Sequence, residues 1–256
     1  MKKSLLFLAA LAVVLCPTLV KAQEMSTIES TEEPLAETTK YFKTVTNLDE
    51  ARLQINSMGQ NERQASYSIE ISEEEYNNAP TEQPRDNPSY IETTYKKLTT
   101  TITQNGSLYQ YKTVLFWKII PSVRSHDIIG IGMPSNVQVY GTPVFQQYYC
   151  YSGGNCNTST SYVYKTGTYG AGATYQLATG SLTTLKGTLY FNITKNTSST
   201  ITGLSAAGDY AHATTTVSSD TAQNYSVTGG GLSLSSSISG YYDSIQSAVA
   251  TMSVYW

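Results

Sequence analysis

From Leu98 onward the chain is written as short β-prone runs separated by turn formers, and this pattern restricts the fold more than any other feature. LTTTITQ, LYQYKTVLFWKII, NVQVYGTPVFQQYYC, GTLYFNITKN and GDYAHATTTVSS are rich in Thr, Val, Ile and Tyr and are bounded by Gly, Asn, Asp and Ser. About ten such runs, with no helical period of useful length between them, predict an antiparallel arrangement rather than a parallel sheet. The expected fold class is therefore mainly β: an antiparallel β-sandwich, or a barrel-like closure, with one short N-terminal helix. Asn105 and Gly106 stand between two of the runs, where a type I′ hairpin turn needs positive φ at both central residues. No fixed-period repeat points to a propeller or a solenoid.

The segments before Leu98 read differently. Residues 1–22, MKKSLLFLAALAVVLCPTLVKA, combine two Lys, an apolar run and small residues before a cut, as a secretory signal peptide does. Cys16 follows Leu15, whereas a lipid-acceptor Cys follows a small residue, so free export is expected. Residues 23–46 are acidic and polar with few large apolar groups, and are read as a disordered lead-in. Within 47–97, Leu48, Ala51, Ile55 and Met58 fall at helical spacing with Asn47 as cap and Gly59 as stop. QASYSIEIS alternates as one half-buried strand. The stretch that follows carries Pro80, Pro84 and Pro88 and reads as a long loop. Residues 98–256 are assigned to the β-sandwich domain.

The net charge is only −3, and the acidic side chains concentrate before Leu98. Beyond it the carboxylates are Asp127, Asp209, Asp220 and Asp243. No basic stripe exists that could neutralise phosphates, so nucleic acid is not expected as a partner. Cys150 and Cys156 flank YSGGN, whose turn formers let the pair face each other across a hairpin, in a compartment where thiols oxidise. A ring of that size contributes about 2.4 kcal/mol by chain entropy. Without nearby His or further Cys the pair is not a zinc site, and no metal or cofactor is expected.

Two clusters carry the functional question. Arg124, His126 and Asp127 lie in RSHD, between Pro121 and the glycines Gly130 and Gly132. As chemistry, His126 is a general base oriented by Asp127 or Asp243. As structure, strand parity puts neighbours on opposite faces, Arg124 and Asp127 form an ion pair, and Trp117 covers a trough left by the two glycines. The structural reading is preferred, because no nucleophile motif accompanies the His. His212 is read as a structural residue, since a lone His in a strand among Thr and Ala is more often a satisfied surface or core residue. The second cluster is Tyr148, Tyr149, Tyr151, Tyr162 and Tyr164 around the Cys loop, in a chain with 21 Tyr and 5 Phe. Rigid amphipathic rings beside Ser, Gly and Asn are the composition of a binding surface, and equally that of cross-strand Tyr pairs that only stabilise a sheet.

The segments WKIIPSVRSHDIIGIGMPSNV, YAHATTTVS and SGYYDSI are similar to segments of uncharacterised secreted proteins of Gram-positive bacteria. That resemblance covers residues 110–256 and implies a secreted β-rich domain. It carries no activity and no catalytic residue.

The expected function is that of a secreted, extracellular, non-catalytic binding protein. Its partner would be a surface glycan or protein at a cell or host surface. One alternative is a β pore-forming protein, since Leu232, Leu234 and Ile238 alternate with Ser in SVTGGGLSLSSSIS; only that reading involves a membrane. The other is a hydrolase using His126 or His212.

Overall fold

The computed structural model describes residue 29 and residues 31–45, 67–81 and 94–256. The expected signal peptide and the helix expected after Asn47 lie outside the described residues. Two antiparallel sheets pack face to face, which makes the fold the expected β-sandwich.

The first sheet contains β1 (Ala36–Val45), β2 (Tyr67–Ile71), β3 (Tyr95–Asn105), β4 (Leu108–Trp117), β6 (Val137–Tyr151), β7 (Cys156–Ser159) and β10 (Leu182–Lys195). Their order is β2-β1-β3-β4-β10-β6-β7. The second contains β5 (His126–Gly132), β8 (Val163–Gly167), β9 (Gly170–Gln176), β11 (Gly203–Ala211) and β14 (Gln246–Ser253). Its order is β14-β11-β5-β9-β8. A small hairpin, β12 (Tyr225–Thr228) with β13 (Gly231–Leu234), lies outside both. The helices are short: α1 spans Glu73–Asn78 and α2 spans Ser219–Ala222, capped by Ser72 and Ser218.

Between the sheets, inward residues of alternating strands form one core. Leu98, Ile102, Leu115, Trp117, Ile129, Ile131, Phe145, Leu189, Phe191 and Ile193 are all buried in it. Ile119 instead joins Tyr76 and Tyr95 in a cluster under α1. Leu232 and Ile238 belong to a separate cluster outside the second sheet, with Ile128 and Tyr242.

Three sequence expectations need correction. Ala36–Val45, within the stretch read as a disordered lead-in, is a strand bonded on both sides, to β2 and to β3. Its composition is poor in apolar groups, but Phe42 reaches the core and two ladders satisfy its backbone. Because β1, β2 and Tyr95–Lys97 all sit in the large sheet, the sandwich does not begin at Leu98. The β3–β4 hairpin closes with Asn105 paired to Leu108, so Gly106 and Ser107 are its central residues. Only Gly106 has positive φ, at 61°, which fits a II′ turn with Gly first rather than the expected I′.

The glycine trough exists, but Trp117 does not cover it. Gly130 and Gly132 share the outer face of β5 with Ile128, next to Gly170 and Gly172 of β9. The β12–β13 hairpin lies across all four. A Cβ on Gly130 would meet Leu232 Cδ2 at 2.4 Å, and one on Gly132 the backbone oxygen of Thr228 at 2.4 Å. On Gly172 it would meet the Tyr225 ring at 2.7 Å, so the aromatic lid over glycine is Tyr225. Trp117 faces the other way, into the core.

Candidate functional site

Inside the sandwich, the sequence's scattered polar residues are brought together as one buried cluster. Lys96 of β3 extends its ammonium to Asp243, Nζ to Oδ2 2.6 Å, with both side chains fully buried. Asp243 precedes β14, and its Oδ2 also accepts from Ser68 Oγ at 2.8 Å. Its Oδ1 accepts from the His212 backbone N–H at 2.9 Å and from Gln246 Nε2 at 3.1 Å. Asp127 of β5 accepts from His212 Nδ1 at 3.1 Å, from the Ala213 N–H at 2.9 Å and from the Tyr210 hydroxyl. Trp117 packs edge-on against His212 and Tyr210, and Lys96 Nζ lies 4.8 Å from the Trp117 ring centre.

Burial dominates the electrostatics of this cluster. Desolvation lowers the Lys96 pKa, against the opposing pull of Asp243 and Asp127. Tyr210 and Tyr175 are pushed well above the usual phenol value by burial first and by the Asp127 charge second. A carboxylate and an imidazole thus stand in a general-base arrangement, but His212 is 5 % exposed and Asp127 has no exposed surface.

The RSHD segment is divided as strand parity dictates, with one correction. Arg124 and Asp127, expected as an ion pair, turn to different partners. Arg124 donates to the carbonyl oxygens of Pro121 at 2.6 Å and Ala178 at 2.8 Å. His126 donates from Nδ1 to the Val217 carbonyl at 2.8 Å, so the His that Asp127 orients is His212. Sequence reading missed Lys96, which sits in an unremarkable YKK; only the scarcity of charge in strand positions marked it.

Asp209 lies on the outer face of β11 and holds the hairpin. Its Oδ2 accepts from the Leu232 N–H at 2.6 Å. Burial raises its pKa to about 6, partly offset by hydrogen bonds from Ser247 and Leu232. The hairpin itself has four residues in each strand. A bilayer-crossing strand needs about 9–11, so this segment is too short to span one as built. The alternation from Leu232 to Ile238 ends at Leu234, after which the chain turns into a short 3-10 segment, Ser239–Tyr241.

The five tyrosines are placed at one lateral edge of the sandwich. β7 is the edge of the first sheet and β8 the edge of the second, and consecutive chain joins them. Cys150 and Cys156 form the expected disulfide and are directly paired across β6 and β7. Tyr149 and Tyr151 share the inner face of β6, their ring centres 5.6 Å apart. From the opposite bank Tyr162 packs on Phe145 at 5.7 Å and donates to the Pro143 carbonyl at 2.9 Å. Tyr164 follows at 6.2 Å from Tyr162 and is 44 % exposed. Four of the five therefore line the seam between the two edge strands. Tyr148 is on the other face of β6, its hydroxyl 3.2 Å from Cys150 Sγ.

One further concavity lies on the outer face of the large sheet. It measures about 320 Å³ and is lined by Lys97, Lys112, Lys186, Thr99, Thr101 and Phe116 among others. Glu32 and Glu37 also line it, and Glu29 pairs with Lys112 at 3.3 Å, so acidic groups of this same chain offset its positive charge. Among the described residues no group of three or more His, Cys, Asp and Glu side chains is arranged to hold a metal ion. No protein-family model and no curated protein matches the chain.

Proposed function

We propose that the protein is a secreted, non-catalytic binding protein acting at a cell or host surface, and that it contacts a surface glycan or protein through the tyrosine-lined seam. The observation that carries this reading is the placing of two tyrosine pairs at one lateral edge, Tyr149 with Tyr151 on β6 beside the edge strand β7 and Tyr162 with Tyr164 at the edge strand β8. Rings held by a disulfide-closed hairpin on one bank and by core packing on the other lose little rotamer entropy on binding. The rings offer apolar faces for a sugar or an apolar side chain, and their hydroxyls offer hydrogen bonds. Neighbouring Ser, Thr and Asn in β7 supply adaptable polar contacts.

The test is retention of the full chain on insoluble peptidoglycan and on chitin. Replacing Tyr151 and Tyr164 together with Ala is expected to weaken retention about tenfold or more, as loss of hot-spot rings does. The melting temperature is expected to stay nearly constant, because both rings are at least partly exposed. Unchanged retention in the double variant removes the seam from the reading.

A further inference from the structure

We propose that Lys96 and Asp243 join as an intramolecular amide, a self-formed cross-link between the two sheets. The reacting atoms are already in place, with Lys96 Nζ 2.6 Å from Asp243 Oδ2 and neither side chain exposed. In a dry site a charged pair is costly, and transfer of one proton along this contact gives a neutral amine facing a neutral carboxylic acid. Desolvation also favours the neutral amine, since it lowers the Lys96 pKa.

The amine lone pair then attacks Asp243 Cγ. Negative charge develops on Oδ1, where the His212 N–H at 2.9 Å and Gln246 Nε2 at 3.1 Å both donate. Two fixed donors at such distances are what stabilises a tetrahedral oxyanion. The Cγ–Oδ2 bond breaks, and Oδ2 departs as water with its own proton and one from Nζ, the Ser68 hydroxyl at 2.8 Å donating to it as it leaves. One N–H remains on the new amide. Nothing is oxidised or reduced, and no co-reactant is consumed. Asp127, whose charge acts on Lys96, and His212 beside it form a second buried acid–base pair next to the reacting atoms. The Trp117 and Tyr210 rings, 4.8 and 5.4 Å from Nζ, exclude the water that would reverse the step. Fixed proximity replaces an external catalyst.

The cross-link would tie β3 to the segment entering β14, residues 147 positions apart, and so enclose most of the sandwich in one covalent loop. It follows from the core geometry alone and stands whether or not the tyrosine seam binds a glycan.

The experiment is tryptic digestion of the denatured full chain followed by mass analysis. No Lys or Arg follows Lys195, so residues 196–256 leave as one peptide if unlinked. The expected result is that this peptide is found joined to residues 86–97, uncut after Lys96, at a mass one water below their sum. Lys96→Arg is expected to release 196–256 at its own sequence mass. Free 196–256 from the native sequence overturns the proposal, as does a linked species that persists in Lys96→Arg.

Discussion

Lys96 and Asp243 meet across the interior of the sandwich at 2.6 Å with no exposed surface on either side chain. Removing one member strands the other in a dry core. Lys96→Met cannot form the amide and leaves the Asp243 carboxylate buried and unpaired, a defect of about 3–5 kcal/mol where one partner of a buried pair is missing. Replacing both, as Lys96→Met with Asp243→Leu, is expected to recover part of that loss, since no uncompensated charge remains. Urea unfolding of the two variants measures the difference, and equal stability of single and double variants would show that the buried charge is not what matters.

The hairpin over the glycine trough makes a prediction about coupling. Gly130→Ala places a methyl where Leu232 now sits, and overpacking of this kind costs about 1–3 kcal/mol. In a Leu232→Ala background the same substitution is expected to be far milder. A double-mutant cycle with no interaction term would mean that the hairpin does not pack on the sheet in solution.

Asp209 gives the fold a pH dependence of unusual sign. Its pKa rises to about 6 on folding, so the folded state binds its proton more tightly than the unfolded chain does. The stabilising contribution is full below the ordinary Asp range and is lost as pH rises through about 6. Asp209→Asn keeps an acceptor for the Leu232 N–H and cannot ionise. Melting temperatures between pH 4 and pH 7, taken as roughly the span from the free to the buried pKa, should contain a falling component that Asp209→Asn lacks. Identical profiles would place Asp209 in solvent.

Reduction of the disulfide is expected to cost about 2 kcal/mol, the worth of a small closed ring, and to leave the two-sheet core intact. Thermal unfolding with and without reductant checks this; collapse of the whole fold would mean that β7 organises more than its own hairpin.

The β-class of the fold was legible from Leu98 onward because alternation and turn residues agree there, and each one points to the same antiparallel neighbours. β1 was not legible, because AETTKYFKTV buries one large apolar ring and gains its place through ladders on both sides, which composition does not register. Parity correctly put Gly130 and Gly132 on one face, yet what fills the trough depended on β12 and β13, about a hundred residues further on. The Asp127–His212 and Lys96–Asp243 pairs are likewise long-range contacts between residues that look ordinary in their own segments. Crowding of tyrosine near Cys150 was visible locally, whereas their division between the seam and the outer face needed the register of β6.

That division offers the sharpest measurement. Tyr148 and Tyr164 are both exposed tyrosines of the same edge, but only Tyr164 lies along the seam with Tyr162, while Tyr148 is on the opposite face of β6. Retention of Tyr164→Ala and Tyr148→Ala on insoluble peptidoglycan and chitin, set beside the native chain, separates the seam from tyrosine exposure as such. Weakened retention for Tyr164→Ala with native retention for Tyr148→Ala is the predicted result. Equal loss in both, or no loss in Tyr164→Ala, contradicts the assignment of the seam as the contact surface.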